Sequence, residues 1–256
     1  MHIRDNKFVI SCAARTGSTM LVHLLRSNPA IVSHGEVFGR GEIGHLQGSY
    51  AAKRNDDPAV GDALQQYRRK DPKRFLYDVV FDTQDRQVAG FKFKTDEQFL
   101  RSYRDIRSLL VKDTDVKVIH LVRRDLLSQY ISHLVVLRQT GVTLLHERDE
   151  APEISPFSID TKHLLKYVDT VTARERKALN DYRHHRRFDV VYEDLAAGCD
   201  DRCMEMQAFL GVKPAPLVAS TRKIIKDNYG LVENLEPCIA ALGDGGHGKR
   251  INPSYA

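Results

Sequence analysis

A short segment near the N-terminus has the residue types of a phosphate-binding turn. It spans residues 13–19, Ala-Ala-Arg-Thr-Gly-Ser-Thr, and follows an apolar run that predicts a buried strand. A tight turn from strand to helix aims backbone N–H groups at one point, and such a group of donors attracts a phosphate. Gly17 allows close approach of the backbone, while Ser18 and Thr19 add hydroxyl donors. Arg15 adds a guanidinium that can bind oxygen atoms in a fork.

The segment departs from the Walker A pattern G-x-x-x-x-G-K-[ST]. Gly17 and Thr19 match the pattern, but Cys12 replaces the first glycine and Ser18 replaces the lysine. That lysine neutralises the β- and γ-phosphates of ATP, so its absence argues against an ordinary nucleotide triphosphatase or kinase. For this loop alone, a capped helix without a ligand remains an alternative.

The run Arg-Thr-Gly-Ser-Thr over residues 15–19, placed after an apolar strand, resembles the 5′-phosphosulfate loop of sulfotransferases. The resemblance implies a P-loop-like α/β fold and 3′-phosphoadenosine 5′-phosphosulfate (PAPS) as the co-substrate. In that family a lysine or arginine occupies the position of Arg15, and arginine is typical of carbohydrate sulfotransferases. It implies that Arg15, with Thr16, Gly17, Ser18 and Thr19, binds the 5′-phosphate and that Arg15 stabilises the leaving oxygen.

A chain that binds PAPS also needs a site for the 3′-phosphate. Arg123 and Arg124 follow the strongest strand pattern of the chain and open a helix that carries Ser132. Arg124 and Ser132 are eight residues apart and can close on a phosphate at the carboxyl end of the sheet. An arginine followed eight residues later by serine resembles the 3′-phosphate binder of sulfotransferases. Both arginines are candidates, and the spacing favours Arg124.

Sulfuryl transfer to a hydroxyl requires a base, and Glu36 is the first candidate. The segment from Asn28 to Glu36 resembles bacterial carbohydrate sulfotransferases, including those that act on trehalose and on nodulation factors. In that branch a glutamate at this position is the catalytic base. His34 is the alternative, because cytosolic small-molecule sulfotransferases use a histidine, although theirs comes from another element. Because Glu36 would lie near Arg15, we expect its carboxylate to stay ionised.

Two weaker matches lie later in the chain. The segment from Val190 to Leu195 resembles the strand and turn that precede the last core helix of many sulfotransferases, although it could also pass as a Walker B strand. Arg222 and Lys223 loosely resemble a late basic loop that folds over the donor.

The elements that must position these residues alternate between strand and helix patterns along most of the chain. Such alternation predicts a parallel sheet covered by helices on both faces, a three-layer α/β/α arrangement. We find no internal repeat and no linker, so a single domain over residues 1–256 is expected. Irregular insertions are predicted at about 37–57 and 140–160, with a loose tail after about 243.

Composition limits the class of protein. The 256 residues are 42% apolar and 29% charged, enough for one sizeable core. No apolar run approaches the ~18 residues of a membrane span. The charged start lacks the apolar region of a secretory signal, and the four cysteines are too few for a disulfide framework. We therefore expect a cytoplasmic protein without a transmembrane segment.

The net charge of +5 suits an anionic small molecule or a nucleic acid equally well. The basic cluster over residues 183–187 has few nearby aromatic side chains for stacking and is typical of a solvated helix end, so no nucleic-acid partner is expected.

The residues and the resemblance together predict an enzyme that moves a sulfuryl group from PAPS to a hydroxyl of a carbohydrate or glycolipid. No metal is implied, and a homodimer is one expectation because related bacterial enzymes can be dimers. Two alternatives remain. One is a P-loop phosphotransferase that uses ATP and Mg²⁺, and the other is a non-catalytic protein that binds adenosine 3′,5′-bisphosphate (PAP) on the same scaffold.

Overall fold

A sheet of five parallel strands in the order β2-β3-β1-β4-β6 forms the centre of the computed structural model. The structure describes residues 6–39, 43, 46–146, 148–198, 200–218, 220–225 and 227–251. A separate antiparallel pair joins β5 to β7. The strands are β1 (Lys7–Cys12), β2 (Ile31–His34), β3 (Val88–Lys94), β4 (Lys117–Val122), β5 (Leu145–His146), β6 (Arg187–Val191) and β7 (Thr221–Arg222).

Helices cover both faces of this sheet. They are α1 (Ser18–Ser27), α2 (Ser49–Asp56), α3 (Pro58–Lys70), α4 (Pro72–Phe75), α5 (Thr95–Gln98), α6 (Arg104–Lys112), α7 (Leu126–Val135), α8 (Thr161–Asp181), α9 (Tyr192–Ala196), α10 (Asp200–Leu210) and α11 (Leu235–Asp244). Single π-helical segments extend α4 over Leu76–Val80 and α7 over Val136–Thr140. Within the described residues, no helix combines the length and apolar character needed to cross a membrane.

The strand β1 lies in the middle of the sheet and is buried along its whole length. Its side chains alternate between two hydrophobic cores: Phe8 and Ile10 pack with one, and Val9 packs with the other. Burial on both faces explains why its sequence is a nearly continuous apolar run. Gly90 of β3 is needed here, because a Cβ atom at Gly90 would lie 2.3 Å from the Phe8 carbonyl oxygen. The predicted α/β/α fold class is confirmed.

Two predicted irregular regions contain more structure than expected. The helix α2 occupies the end of the predicted insertion at about 37–57, and part of that insertion lies outside the described residues. Beyond residue 243, a 3₁₀ turn follows at Gly248–Arg250, and Ile251 is buried among apolar side chains. The guanidinium of Arg250 pairs with the buried Glu175 of α8. Residues 252–256 of the predicted tail lie outside the described residues.

Candidate functional site

The loop between β1 and α1 adopts a conformation that gathers backbone donors. Arg15 and Gly17 both have positive φ angles, 63° and 76°. The Thr16 hydroxyl donates to the carbonyl oxygen of Ala13 over 2.8 Å and so fixes the turn. Left-handed residues in such a turn make successive N–H groups converge on a concave anion site at the start of the helix. The loop therefore has a backbone geometry that can bind an anion.

Tyr192 packs directly against this loop. A Cβ atom at Gly17 would lie 2.3 Å from the Tyr192 ring, so glycine is required for the contact as well as for the φ angle. The guanidinium carbon of Arg123 lies 4.6 Å from the centre of that ring, and the ammonium of Lys223 lies 5.9 Å from it. Tyr192 thus places two cations beside the loop.

Arg15 and Ser132 are brought together. The Arg15 Nε donates to the Ser132 hydroxyl oxygen over 3.0 Å, and its Nη1 donates to the Thr143 carbonyl oxygen over 3.2 Å. Arg123 Nη1 donates to the Arg15 carbonyl oxygen over 3.3 Å. Burial and the neighbouring charge of Arg123 lower the pKa of Arg15. Across the described ranges, neither arginine forms an ion pair with a carboxylate, so this region holds positive charge without a carboxylate in direct contact.

Arg124 lies on the surface. Its side chain is 62% exposed, and its Nη1 lies 3.4 Å from an Asp194 oxygen. The backbone N–H groups of Arg124 and Asp125 donate to the Glu193 carboxylate, each over 3.1 Å. The assignment of the 3′-phosphate to Arg124, which the spacing favours, stays a prediction. In the structure it is the Arg123 side chain that lies against the loop.

Glu36 lies between two lysines of β3. Lys92 Nζ is 2.8 Å from Glu36 Oε1, and Lys94 Nζ is 2.9 Å from Glu36 Oε2. Lys92 Nζ also donates to the hydroxyl oxygen of Thr19 over 3.1 Å. An ammonium from the neighbouring strand therefore reaches the loop that has Ser18 in place of the Walker A lysine.

Neither Lys92 nor Lys94 was among the residues predicted for the site. A signal for them exists, because Lys92 and Lys94 alternate at the carboxyl end of an otherwise apolar, buried strand. Charged residues rarely occupy such positions unless they are paired.

The lysines keep Glu36 ionised. Burial raises the pKa of Glu36, but Lys92 and Lys94 outweigh burial and lower that pKa to about 2. Glu36 therefore carries its negative charge at any ordinary pH. The expected cause was Arg15, and the structure assigns the larger effect to Lys92 and Lys94.

His34 occupies a closed environment. It is fully buried, and its Nδ1 accepts a hydrogen bond from the Gln47 backbone over 3.0 Å. Burial, together with the charges of Arg26 and Arg86, lowers the pKa of His34 to about 3. The ring is neutral and has no surface for an acceptor to contact, which favours Glu36 as the base.

The fold is shared with solved sulfotransferase domains. The sulfotransferase domain of the Synechococcus PCC 7002 olefin synthase is 20% identical, with 82% of this chain and 74% of that domain covered at a TM-score of 0.50. The sulfotransferase domain of the curacin biosynthetic pathway is 14% identical, with 82% and 75% covered at a TM-score of 0.52. No protein-family model and no curated protein matches the sequence. The similarity at these identities is one of fold.

Proposed function

We propose that the protein is a sulfotransferase that moves a sulfuryl group from PAPS to a hydroxyl of a carbohydrate or glycolipid. The observation that carries the proposal is the convergence of Arg15 and Arg123 on a left-handed loop, without a carboxylate to compensate them among the described residues. An anionic ligand would neutralise this charge. The fold that the chain shares with sulfotransferase domains supports the same assignment.

The phosphosulfate end of the donor would bind at the loop. The backbone N–H groups of residues 16–19 and the Arg15 guanidinium would hold the 5′-phosphate. Lys92, whose side chain is only 4% exposed, would add its charge from the neighbouring strand. Since the phosphosulfate anhydride is already activated, these groups need only position it and stabilise the bridging oxygen as the sulfur–oxygen bond breaks.

The 3′-phosphate would bind at Arg123 and Ser132. The Ser132 oxygen accepts from Arg15, so its own hydroxyl hydrogen remains available to a phosphate oxygen. Arg123 lies beside the loop, and its buried Nε has no hydrogen-bond partner among the residues that the structure describes. Arg124 is the second candidate, and it would first have to leave Asp194. Binding a 3′-phosphate would select PAPS over ATP-like nucleotides.

Glu36 would be the base. Its side chain is 32% exposed, whereas Lys92 beneath it is buried, so an acceptor can reach the carboxylate. As the acceptor oxygen attacks sulfur in line with the leaving oxygen, its proton would pass to Glu36, and PAP would leave with its 5′-phosphate. The carbohydrate or glycolipid class rests on the sequence resemblance around Glu36 and on arginine at position 15.

The competing enzyme class is a phosphotransferase that uses ATP and Mg²⁺. The parallel sheet with a loop before α1 is compatible with it, and Lys92 supplies an ammonium near that loop. The uncompensated Arg123 argues for the PAPS enzyme, because a nucleotide with a second phosphate on the ribose gives this arginine a partner.

The test is transfer of radiolabelled sulfate from PAPS across a panel of sugars, glycolipids and phenols, without added metal. We expect label on a sugar hydroxyl. Phosphorylation that requires ATP and Mg²⁺, with no use of PAPS, would establish the phosphotransferase instead. Tight PAP binding without transfer to any acceptor would establish the non-catalytic binding protein.

A further inference from the structure

Lys94 joins two carboxylates that come from different elements. Its Nζ lies 2.9 Å from Glu36 Oε2 and 3.1 Å from Oε1 of Glu97 in α5. The Lys94 backbone N–H also donates to Glu97 Oε2 over 3.3 Å. The exposed fractions of these side chains are 32% for Glu36, 19% for Lys94 and 6% for Glu97. The three groups therefore form a continuous path from the surface to a buried carboxyl.

The two carboxyls at the ends of this path differ in proton affinity. Burial raises the pKa of Glu97 to about 7, and the negative charges of Glu36 and Asp96 add to the effect, while Lys94 opposes it. Glu36 has the opposite shift, to a pKa of about 2. The accessible carboxylate is thus a much weaker base than the buried one.

Other charged and titratable groups surround the loop that carries Glu36. Arg68 of α3 donates to the carbonyl oxygens of Val37 and Gly39, and the Tyr103 hydroxyl donates to Gly39. Lys92 contacts the other oxygen of the Glu36 carboxylate, Oε1. The charges that act on the Glu97 carboxyl are those of Lys94, Glu36 and Asp96.

We propose that Glu97 is a positioning residue that receives the acceptor's proton through Lys94, an inference that rests on the proposed sulfuryl transfer. As the acceptor O–H bond breaks, its proton passes to Glu36. Lys94 gives one of its protons to Glu97 Oε1 and takes the proton from Glu36 Oε2. Meanwhile the acceptor oxygen bonds to sulfur, and the bridging oxygen leaves with PAP. Glu36 and Lys94 end in their original ionised forms, and Glu97 ends protonated.

The relay resolves a conflict in the site. A base works best when its pKa lies near the working pH. The pKa of Glu36 lies far below neutral pH, whereas the pKa of Glu97 lies close to it. Although burial opposes it, the attraction of Glu97 and Glu36 raises the pKa of Lys94. Lys94 is therefore a charged ammonium before the reaction. It gives a proton to Glu97 at the same time as it receives one from Glu36.

The test compares Glu97→Gln and Lys94→Arg with the wild-type protein. The assay is single-turnover release of PAP from PAPS with water as the acceptor, followed as a function of pH. The wild-type rate should rise with pH through about 7 and then level off, because Glu97 must be unprotonated to receive the proton. In Glu97→Gln we expect a rate roughly 10- to 100-fold lower on the alkaline side, with the rise through neutral pH lost.

The Lys94→Arg variant distinguishes proton transfer through Lys94 from a purely structural role of this lysine. Arginine keeps the positive charge and can still contact both carboxylates, but it does not give up its proton. The relay therefore predicts the same loss as in Glu97→Gln, whereas a structural role predicts near wild-type rates. Glu97→Asp retains a titratable group and should restore part of the pH-dependent rise. Glu236→Gln, an exposed carboxylate change on α11, is the matched control and should leave the profile unchanged.

PAP binding by titration calorimetry distinguishes the two ways in which the idea can fail. If the variants bind PAP like the wild type, and Glu97→Gln keeps the rise at the same pH, the relay is wrong while the proposed function stands. If Lys94→Arg reacts as fast as the wild type, the relay is equally wrong. If the wild type neither binds PAP nor releases it from PAPS, the proposed function is wrong, and the relay that depends on it is wrong as well.

Discussion

The ends of β2 and β3 compensate their charges internally, whereas the ends of β1 and β4 do not. We call Glu36, Lys92, Lys94 and Glu97 the paired region, because two carboxylates and two ammonium groups alternate there at 2.8–3.1 Å. We call Arg15 and Arg123 the unpaired region. There the Arg123 guanidinium donates to the Arg15 backbone carbonyl, and in the residues that the structure describes no carboxylate forms an ion pair with either arginine.

This difference is the basis of our proposal that the unpaired region provides most of the charge for an anionic ligand and that the paired region transfers the proton. Gathering like charges in a partly buried place is costly, and the lowered pKa of Arg15, which comes from burial and from Arg123, reports that cost. An anionic ligand would remove it. In the paired region the charges already neutralise one another. The pKa of Glu36 is lowered and that of Glu97 is raised, and such a pair of carboxyls is suited to proton transfer.

The largest expected effect comes from changing the paired region. Glu36→Gln should lower the rate of sulfuryl transfer by about 10²- to 10⁴-fold, the range that a general base contributes. PAP affinity should be unchanged or higher, because the change removes a negative charge next to Lys92. Single-turnover transfer and titration calorimetry would measure the two quantities. A fully active Glu36→Gln variant would refute the assignment of the base.

The second effect sharpens the description of the unpaired region. Arg123→Met should weaken PAP binding by about 1.5–3 kcal/mol, the value of hydrogen bonds to charged groups, which is roughly 10- to 100-fold in Kd. The neighbouring Arg124→Met is the matched control, since its side chain is exposed and pairs with Asp194. Calorimetric titration of both variants with PAP shows whether Arg123 or Arg124 binds the 3′-phosphate. A larger loss in Arg124→Met would transfer the 3′-phosphate site to that residue.

A smaller effect tests the turn that joins the two regions. Gly17→Ala should destabilise the fold by about 2 kcal/mol or more, because a left-handed backbone costs an L-residue roughly 1–2 kcal/mol and the new methyl group would collide with Tyr192. Gly141→Ala is the control, with a φ of 64° and, apart from its chain neighbours, no atom of the described residues within 4 Å of its added Cβ. Urea unfolding should show the greater loss for Gly17→Ala. Equal losses would mean that Tyr192 does not pack on the loop.

The sequence was most informative where a local pattern carries the structure. The apolar run of β1, the glycine after it and the cap at Asp125 are decided by nearby residues. The Asp125 carboxylate accepts from the Ser128 backbone over 2.9 Å and so caps the start of α7. The α/β/α class followed from the alternation of such patterns.

The paired region could not be predicted in the same way. Glu36 and Lys92 are far apart in the chain, and parallel pairing of β2 with β3 brings them together, with the Lys92 backbone donating to the Gly35 oxygen over 3.3 Å. The alternation of strand and helix patterns predicted a parallel sheet, but it did not predict which strands lie next to each other. The spacing favoured Arg124, but which of the two side chains faces the loop depends on the direction of the chain after β4, and spacing does not give that direction.

We propose above all that the unpaired region binds a nucleotide with phosphates on both the 3′ and the 5′ positions of its ribose. The most direct measurement is titration calorimetry of PAP, of AMP and of ATP with Mg²⁺ against the wild-type protein and Arg123→Met. We predict that PAP binds the wild type most tightly, and that Arg123→Met reduces its affinity to that of AMP. ATP with Mg²⁺ binding as tightly as PAP, or a PAP affinity unaffected by Arg123→Met, would contradict the account.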